Sequence, residues 1–361
     1  MIVFFSSMTS AEGTVQFMKS FADALRINGE EVRIIAEKGI CDDEDGCITF
    51  NHIRVSEILV GVSSRIKSCV NLIIGLNPSA VIFTDSALGG IVMRRLLSNK
   101  VRCILVQHDP EPHPTHRSPS FKDLARRIAT AYWLADTNKY IDRYLLLSNT
   151  SKERFVKLHP EYGEKCSVMP LCPHPPKGVQ AVMPPELVNS LVESNRFFLF
   201  FGRIDKYKGI ERLLRAYSDG PCSTPLVIAG SGDFSDTEKR LLEASNNVFI
   251  VNRYVTDEDL VWLFSHCLGV MLPYIEASQS GVLAMSYHYG KPVAVSNLPG
   301  LTEFVIDGKT GFVCNSISEF TSAMSEMIRV GDGMRSDILK YAKENLDWNR
   351  QVSLWLRSFH H

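Results

Sequence analysis

The stretch that decides the fold is "FFLFFGRIDKYKGIERLLRAY", residues 197–217. Its five opening apolar residues are typical of a strand buried in a parallel sheet, and the apolar residues after the second glycine recur at helical spacing. The loop between strand and helix carries two cations, Arg203 and Lys208. Each cation has a glycine beside it, Gly202 or Gly209. An arginine fork with a lysine point charge suits a diphosphate, although a solvated strand end before a basic helix start is the alternative.

The composition is that of a soluble globular protein. At 361 residues the chain is long enough for about two domains, and 45% apolar with 22% charged residues is ordinary. A formal net charge of −1 gives no indication of a nucleic-acid partner. Nine cysteines without a CxxC pair predict free thiols in a reducing cytoplasm. No signal-peptide pattern and no apolar run of roughly 18 residues is present, so we expect a cytoplasmic protein that contacts a membrane only peripherally.

Short apolar runs alternate with amphipathic segments, which is the pattern of parallel sheets covered by helices on both faces. The predicted strands are MIVFFS, EVRIIA, AVIFTD, RCILVQHD, DRYLLLSN, FFLFFG, PLVIAG, VFIVN, LGVMLP and PVAVSN. The predicted helices span 14–28, 208–218, 235–245, 257–266 and 280–289, with a helical tail over 316–360. A proline-rich, aperiodic linker at 172–188 divides the alternation. The sequence therefore predicts an α/β fold with two doubly wound, Rossmann-like domains, 1–175 and 176–340, facing each other across a cleft.

In such sheets ligands lie beyond the carboxyl ends of the strands, so the residues that follow strands are candidates. Gly230 and Gly232 follow one strand of the second domain, where bare backbone lets a ligand approach, although such turns are common without a ligand. A second candidate is an anion-binding site formed by the backbone amides at the start of the helix near residue 280. Capping by Ser278 or Ser280 is the alternative and is compatible with it. This predicted anion-binding site consists of the amides of Gln279, Ser280, Gly281 and Val282.

In the first domain, His108 and Asp109 end a predicted strand. A histidine at a cleft edge can bond or polarise a sugar hydroxyl. Histidines at 108, 113 and 116 invite a zinc interpretation, but the intervening prolines prevent a helical histidine face and no carboxylate or cysteine completes a site. We therefore expect no metal there.

Two further loops of the first domain carry candidate residues. Gly13 opens the first helix, where an acceptor or phosphate could contact backbone. The acidic run Asp43-Glu44-Asp45 has the form of a DxD motif, yet it lies among other acids in a loop after the second strand. We interpret it as a solvated acidic turn rather than a metal site.

Several segments together resemble family 4 retaining glycosyltransferases of the GT-B fold. The resemblance is carried by "FFGRIDKYKGIERLLRAY", "LVIAGSGDF", "GKPVAVSNLPGLTEFVIDGKTGFV" and "ENLDWNRQ", in the order and spacing of that family's second domain. It is strong over 197–315 and weaker over 1–100. "HDPEPHP" and "PYIEASQSGV" resemble the branch found in bacterial capsule, O-antigen and exopolysaccharide gene sets.

The resemblance implies a nucleotide-sugar donor on the second domain, an acceptor on the first and a final helix, 341–361, that crosses back to the first domain. Carried over by position, Arg203 and Lys208 hold the donor diphosphate, and the amides at 280–282 bind its distal phosphate. His108 lies near the transferred sugar, with Asp109 and Gly13 on the acceptor side. The residues implied to cradle the base or line the nucleotide are Arg253, Tyr254, Val255, Gly230 and Gly232, with Gly202 beside the diphosphate.

At two positions the sequence lacks residues that the resemblance would place in the donor site. The family's paired glutamates, spaced E-x7-E, fall on Ala277 and Met285 here, and Glu276 is one position off. A donor-sugar contact and a ribose contact are therefore missing or supplied by other residues.

The expected function is sugar transfer with retention, without a metal or cofactor, to a lipid-linked saccharide at the inner face of the plasma membrane. The stretches "MRRLLSNKVR" and "FKDLARRIA" are basic and amphipathic, which allows contact with anionic lipid, although ordinary surface helices look much the same. Two alternatives stay open: a sugar-nucleotide epimerase of the same fold, and a non-catalytic sugar-nucleotide-binding partner. A dehydrogenase is disfavoured because no G-x-G-x-x-G follows the first strand.

Overall fold

The structure is a computed structural model that describes residues 1–6, 12–41, 46–51, 64–84, 94, 97, 100–109, 140–188, 196–220 and 223–359. The chain divides into two compact units. The first comprises Met1–Pro170 with Trp348–His361, and the second comprises Leu171–Asp347. Each unit is built on a parallel sheet with helices, so the predicted α/β class with two Rossmann-like domains is confirmed.

The first unit contains a seven-stranded parallel sheet within the described residues, in the order β3-β2-β1-β4-β5-β6-β7. Its strands are β1 Ile2–Ser6, β2 Val32–Glu37, β3 Cys47–Phe50, β4 Ala80–Phe83, β5 Cys103–Gln107, β6 Arg143–Leu146 and β7 Cys166–Val168. The described helices between them are α1 Glu12–Ile27, α2 Ser64–Leu76 and α3 Asn149–Leu158. All residues of β1 and β4 are buried, as expected for central strands covered on both faces.

The described residues of the second unit form a six-stranded parallel sheet, in the order β10-β9-β8-β11-β12-β13. Its strands are β8 Phe198–Phe201, β9 Leu226–Ala229, β10 Val248–Val251, β11 Gly269–Leu272, β12 Val293–Ser296 and β13 Gly311–Cys314. Its helices are α4 Ile210–Ser218, α5 Asp236–Glu243, α6 Asp257–His266, α7 Gly281–His288, α8 Pro299–Thr302, α9 Ile317–Val330 and α10 Arg335–Asn345.

The strand order of the second unit locates its ligand edge. From β8 the chain first adds β9 and β10 on one side and then returns to add β11 on the other side. The loops that follow β8 and β11 therefore diverge at a topological switch point, where open α/β sheets bind ligands. The loop with Arg203 and Lys208 follows β8, and the stretch before α7 follows β11.

The last helix, α11 Trp348–Phe359, belongs to the first unit. It packs on α1 through aromatic rings: Trp355 lies 5.5 Å from Phe21, and Trp348 lies 5.3 Å from Phe17. The aromatic residues Phe17 and Phe21 of α1 are thus covered by the last helix.

The structure corrects several element predictions. β3, β7 and β13 were not predicted, because a polar residue or a glycine breaks the apolar run of each: Thr49 in β3, Ser167 in β7 and Gly311 in β13. The helical tail is not continuous. A 3₁₀ turn at Gly331–Met334, with two glycines, separates α9 from α10, and α11 begins after Asp347.

The expectation of free thiols is wrong for one pair. Cys41 and Cys47 form a disulfide, because pairing of β2 with β3 returns the chain to within 6.3 Å between their Cα atoms. Six other described cysteines are buried and form no disulfide. The acidic run 43–45 between the paired cysteines lies outside the described residues.

Candidate functional site

The loop after β8 is held against the loop after β11 by main-chain contacts. Lys208 ends a short 3₁₀ turn, Lys206–Lys208, and Gly209 follows in the left-handed conformation at φ 69°. A Cβ on Gly209 would lie only 2.0 Å from the carbonyl oxygen of Pro273. The amide of Ile275 also donates to the Tyr207 carbonyl at 2.8 Å. Gly209 is therefore required by the approach of another loop, whereas the sequence suggested the approach of a ligand.

Lys208 contacts two tyrosine rings in this loop pair. Its ammonium nitrogen lies 3.8 Å from the ring centroid of Tyr274 and 5.0 Å from that of Tyr207. Burial acts to lower the pKa of Lys208, but interactions with the two tyrosines outweigh it, and the pKa is raised. The side chain therefore stays a cation at neutral pH.

Helix α7 begins where the sequence predicted, and Ser280 caps it. The Ser280 hydroxyl accepts from the Leu283 amide at 3.3 Å, and its carbonyl accepts from the Ala284 amide at 3.3 Å. Between the alternative caps, the structure selects Ser280 rather than Ser278. First-turn amides have no intrahelical acceptor, so those of Gly281 and Val282 remain available to an anion.

Contacts within the second unit join this helix start to the cationic loop. The Tyr274 hydroxyl lies 3.5 Å from the Ser280 hydroxyl oxygen. A methyl of Val282 lies 3.9 Å from the position of a Cβ on Gly202. Of the sequence-predicted residues, the structure thus brings Gly202, Lys208, Ser280 and Val282 into one neighbourhood.

Arg203 lies directly after Gly202 at the same strand end, and its side chain is exposed. The next residue, Ile204, is buried, and its amide donates to the Ser231 carbonyl at 2.9 Å. The backbone of this loop is therefore anchored while the guanidinium faces solvent. Within the described part of the chain, Arg203 has no hydrogen bond or ion pair that would compete with an anion.

The glycine turn after β9 is explained by backbone packing. Gly230 has φ 145°, and a Cβ there would lie 2.0 Å from the Gly202 carbonyl oxygen. Gly232 has φ 151°, and its Cβ would lie 2.2 Å from the Ile204 carbonyl oxygen. Asn252 clamps the same turn by accepting from the Gly232 amide at 3.2 Å and donating to its carbonyl at 3.1 Å.

Next to this clamp, Arg253 is engaged by carboxylates of its own unit. Its guanidinium donates to both oxygens of Glu186, at 2.7 and 3.1 Å, and to Asp259. The hydrogen bond from Arg253 holds the pKa of Glu186 below its usual range. Val255 is buried, and Tyr254 is 61% exposed. The Arg253 side chain is thus held by Glu186 and Asp259. Contact of this segment with a nucleotide base stays a prediction.

The positions that lack the paired glutamates lie in the core. Ala277 and Met285 are 5% and 9% exposed and pack in the hydrophobic cluster of the second unit. The Ala277 carbonyl oxygen would lie 2.6 Å from a Cβ on Gly300, so the α8 start also packs on this loop. Neither position presents an acidic group to a ligand, and Glu276 beside them is exposed.

In the first unit, His108 follows β5 and packs edge-on against Phe17 of α1, with ring centroids 5.0 Å apart. The Asp109 backbone carbonyl accepts from the side-chain Nε2 of Gln107 at 2.6 Å. Gly13 is exposed in the first turn of α1. His113 and His116 lie outside the described residues. Among those that are described, no group of three or more potential ligands is arranged to hold a metal ion.

Tyr274 is the site residue that sequence reasoning missed. It is 1% exposed, yet it touches both the Lys208 ammonium and the cap of α7. The available signal was an aromatic residue placed directly after Pro273, at the carboxyl end of β11.

Part of the sequence is similar to known glycosyltransferases. Residues 188–345, less than half of the chain, match the family model described as glycosyl transferases group 1. The alpha-1,3/1,6-mannosyltransferase ALG2 of Dictyostelium discoideum is 27% identical over 168 residues, covering 39% of this chain and 40% of that protein. The curated relatives that the chain matches are covered over less than half of their own length.

Solved structures match the chain over nearly its full length. Anabaena Alr3699/HepE in complex with UDP-glucose aligns with a TM-score of 0.70 and 15% identity over 99% of both chains. WaaG, a glycosyltransferase involved in lipopolysaccharide biosynthesis, aligns with a TM-score of 0.63 and 14% identity over 98% of both chains. These neighbours confirm the GT-B fold. The similarity to glycosyl transferases group 1 is found over residues 188–345, within the part of the chain that forms the second unit.

The contact at Gly209 leads to a testable prediction. Gly209→Ala forces a Cβ into the Pro273 carbonyl, whereas Gly178, with nearly the same φ of 68°, has nothing within 4 Å of a Cβ. We expect Gly178→Ala to cost about 1–2 kcal/mol of unfolding free energy from left-handed strain alone. Gly209→Ala is expected to cost clearly more, measured by urea denaturation of both variants. Equal losses would show that the loop contact is unimportant.

Proposed function

We propose that the protein is a glycosyltransferase that moves a sugar from a nucleoside diphosphate sugar to a saccharide acceptor. The observation that carries the proposal is the Lys208 ammonium, 3.8 Å above the Tyr274 ring, whose hydroxyl lies 3.5 Å from the α7 cap Ser280. A fixed cation next to the N-terminus of a helix can bind a diphosphate. We call this site, formed by Lys208 and the first amides of α7, the diphosphate seat. The seat lies at the switch point between β8 and β11.

The comparisons support a nucleotide-sugar donor. The glycosyl transferases group 1 match covers 188–345 and thus the entire seat. The structural neighbour HepE is described in complex with UDP-glucose, which makes uridine diphosphate the first probe to use on this protein.

In the proposed reaction the bond between the anomeric carbon and the donor diphosphate breaks as an acceptor oxygen bonds to the same carbon. Negative charge develops on the departing diphosphate, and preorganised cations and amides that face it lower the barrier. Arg203, Lys208 and the amides of Gly281 and Val282 have the required chemistry. The acceptor proton goes to the leaving diphosphate, which needs no carboxylate base. His108 is proposed to lie near the transferred sugar, and Asp109 and Gly13 are proposed for the acceptor side.

Loss of either cation should lower turnover. We expect Arg203→Ala and Lys208→Met each to reduce turnover of donor on the order of 10²-fold, because charge on the leaving group is then uncompensated. Arg196→Ala is the control for Arg203, since Arg196 precedes β8 and pairs with Asp332 at 2.7 Å. Lys291→Met is the control for Lys208, since Lys291 is a partly buried lysine just beyond α7 that donates to the Cys267 carbonyl at 2.7 Å. An unchanged rate in Arg203→Ala would refute its role.

The proposal includes retention and independence from metal. If the two cations neutralise the diphosphate, turnover should be unchanged when a chelator replaces added Mg²⁺, and the product should keep the anomeric configuration of the donor. Proton NMR of the product, taken before it can mutarotate, measures the second property. A turnover rate that falls with chelator and is restored by Mg²⁺ would contradict metal independence. A product of inverted anomeric configuration would contradict retention.

The proposed acceptor is a lipid-linked saccharide of a bacterial cell-surface polysaccharide, supported by the neighbour WaaG and its role in lipopolysaccharide biosynthesis. No helix within the described part of the chain is long and apolar enough to cross a membrane. We propose cytoplasmic, peripheral contact with the inner face of the plasma membrane. Of the two basic stretches, 121–129 lies outside the described residues, and Arg94 of the other is buried over the Phe83 ring, so this cation is unavailable to lipid.

Vesicles test acceptor and membrane contact together. We expect the protein to sediment with vesicles of anionic lipid at low salt and to be released at high salt, because the attraction is electrostatic. Transfer to a polyprenyl-linked saccharide in those vesicles should exceed transfer to the same free saccharide. Equal sedimentation with neutral vesicles, or a preference for the free saccharide, would contradict this part.

The same assays separate the two alternatives. An epimerase consumes donor without any acceptor, and a non-catalytic partner binds nucleotide without consuming donor even when acceptor is present.

A further inference from the structure

Tyr274 occupies an unusual place among the aromatic residues of the second unit. It follows β11, is 1% exposed, and its ring centroid lies 3.8 Å from the Lys208 ammonium nitrogen. At that distance the ring face attracts the cation, and the attraction grows when water is excluded. Tyr207 contributes a second, more distant ring at 5.0 Å.

The manner in which Lys208 is held matters for ligand binding. Within the described residues Lys208 forms no salt bridge, in contrast to Arg253, which is paired with Glu186 and Asp259. A carboxylate partner neutralises a lysine and competes with an incoming anion, whereas an aromatic ring fixes the ammonium and leaves its charge in place. The flexible lysine stem is thereby ordered before the ligand arrives, which lowers the entropy lost on binding.

The hydroxyl of Tyr274 reaches the second half of the seat. It lies 3.5 Å from the Ser280 hydroxyl oxygen, which also accepts from the Leu283 amide. One side chain thus touches both the cation after β8 and the residue that caps α7.

We propose that Tyr274 is the positioning residue of the diphosphate seat: its ring preorganises the Lys208 ammonium, and its hydroxyl ties that cation to the N-terminus of α7. This inference rests on the proposed donor site. Tyr274 acts through Lys208 and Ser280 and makes no direct contact with the ligand.

A double-mutant cycle measured by calorimetric titration with UDP tests the proposal. Tyr274→Leu removes the ring and is expected to weaken UDP affinity about tenfold, which lies between the effects of an exposed and of a fully desolvated cation–π contact. In the Lys208→Met background, Tyr274→Leu should have almost no further effect, because the cation that it positions is gone. Tyr274→Phe keeps the ring and should lose less affinity than Tyr274→Leu.

Tyr287→Leu is the matched control. Tyr287 is also fully buried in the second unit, and its hydroxyl donates to Thr310 at 2.7 Å. We expect this variant to lose folding stability while UDP affinity stays unchanged. A loss of UDP affinity by Tyr274→Leu that is equally large with and without Lys208 would show a merely structural role and overturn the proposal.

A measurement on the intact protein covers the case in which Tyr274→Leu fails to fold. Protons on the carbon next to the Lys208 nitrogen should be shifted upfield by the ring current of Tyr274, with the signal assigned by its absence in Lys208→Met. An unshifted signal would refute the contact. Failure of the wild-type protein to bind UDP, ADP or GDP would refute the donor site itself, whereas UDP binding unaffected by Tyr274→Leu would refute only the role of Tyr274.

Discussion

The backbone contact between the loops after β8 and β11 is the constraint on which the candidate donor site depends. Gly209 adopts a left-handed conformation beneath the Pro273 carbonyl, and the Ile275 amide donates to Tyr207. Because the main chain makes this contact, side chains on both loops can face each other across it. The Lys208–Tyr274 pair is one consequence, and the proximity of Tyr274 to the cap of α7 is another.

Two cations near the ligand edge of the second unit have opposite environments. Arg253 is bound by carboxylates, so its charge is compensated within the protein and it supports the segment around Glu186. Lys208 is placed on aromatic rings, and its charge remains uncompensated by any acid in the described residues. An anion gains most from a cation that is ordered but not neutralised. Lys208 is therefore better placed than Arg253 to bind an anion such as the diphosphate of the proposed donor.

Much of the fold could be predicted because parallel strands that are buried on both faces have continuous apolar sequences. β1, β8 and β9 are examples, since nearly all of their residues are buried. β13 was missed because "GFVC" begins with a glycine, which leaves a shorter apolar run than in β8 or β9. Its membership in the sheet is decided by pairing with β12, which no local pattern reveals. The disulfide between Cys41 and Cys47 depends on strand pairing in the same way.

The sequence by itself determined the class of fold, the strand ends that carry cations and glycines, and a helix start near residue 280, because each of these follows from local periodicity and capping. Only the tertiary structure decided what those residues touch. Gly230 proved to be required by the Gly202 carbonyl, and Tyr274 proved to lie under Lys208. These contacts join segments tens of residues apart, and their geometry is set by the order of strands in the sheet rather than by any neighbouring residue along the chain.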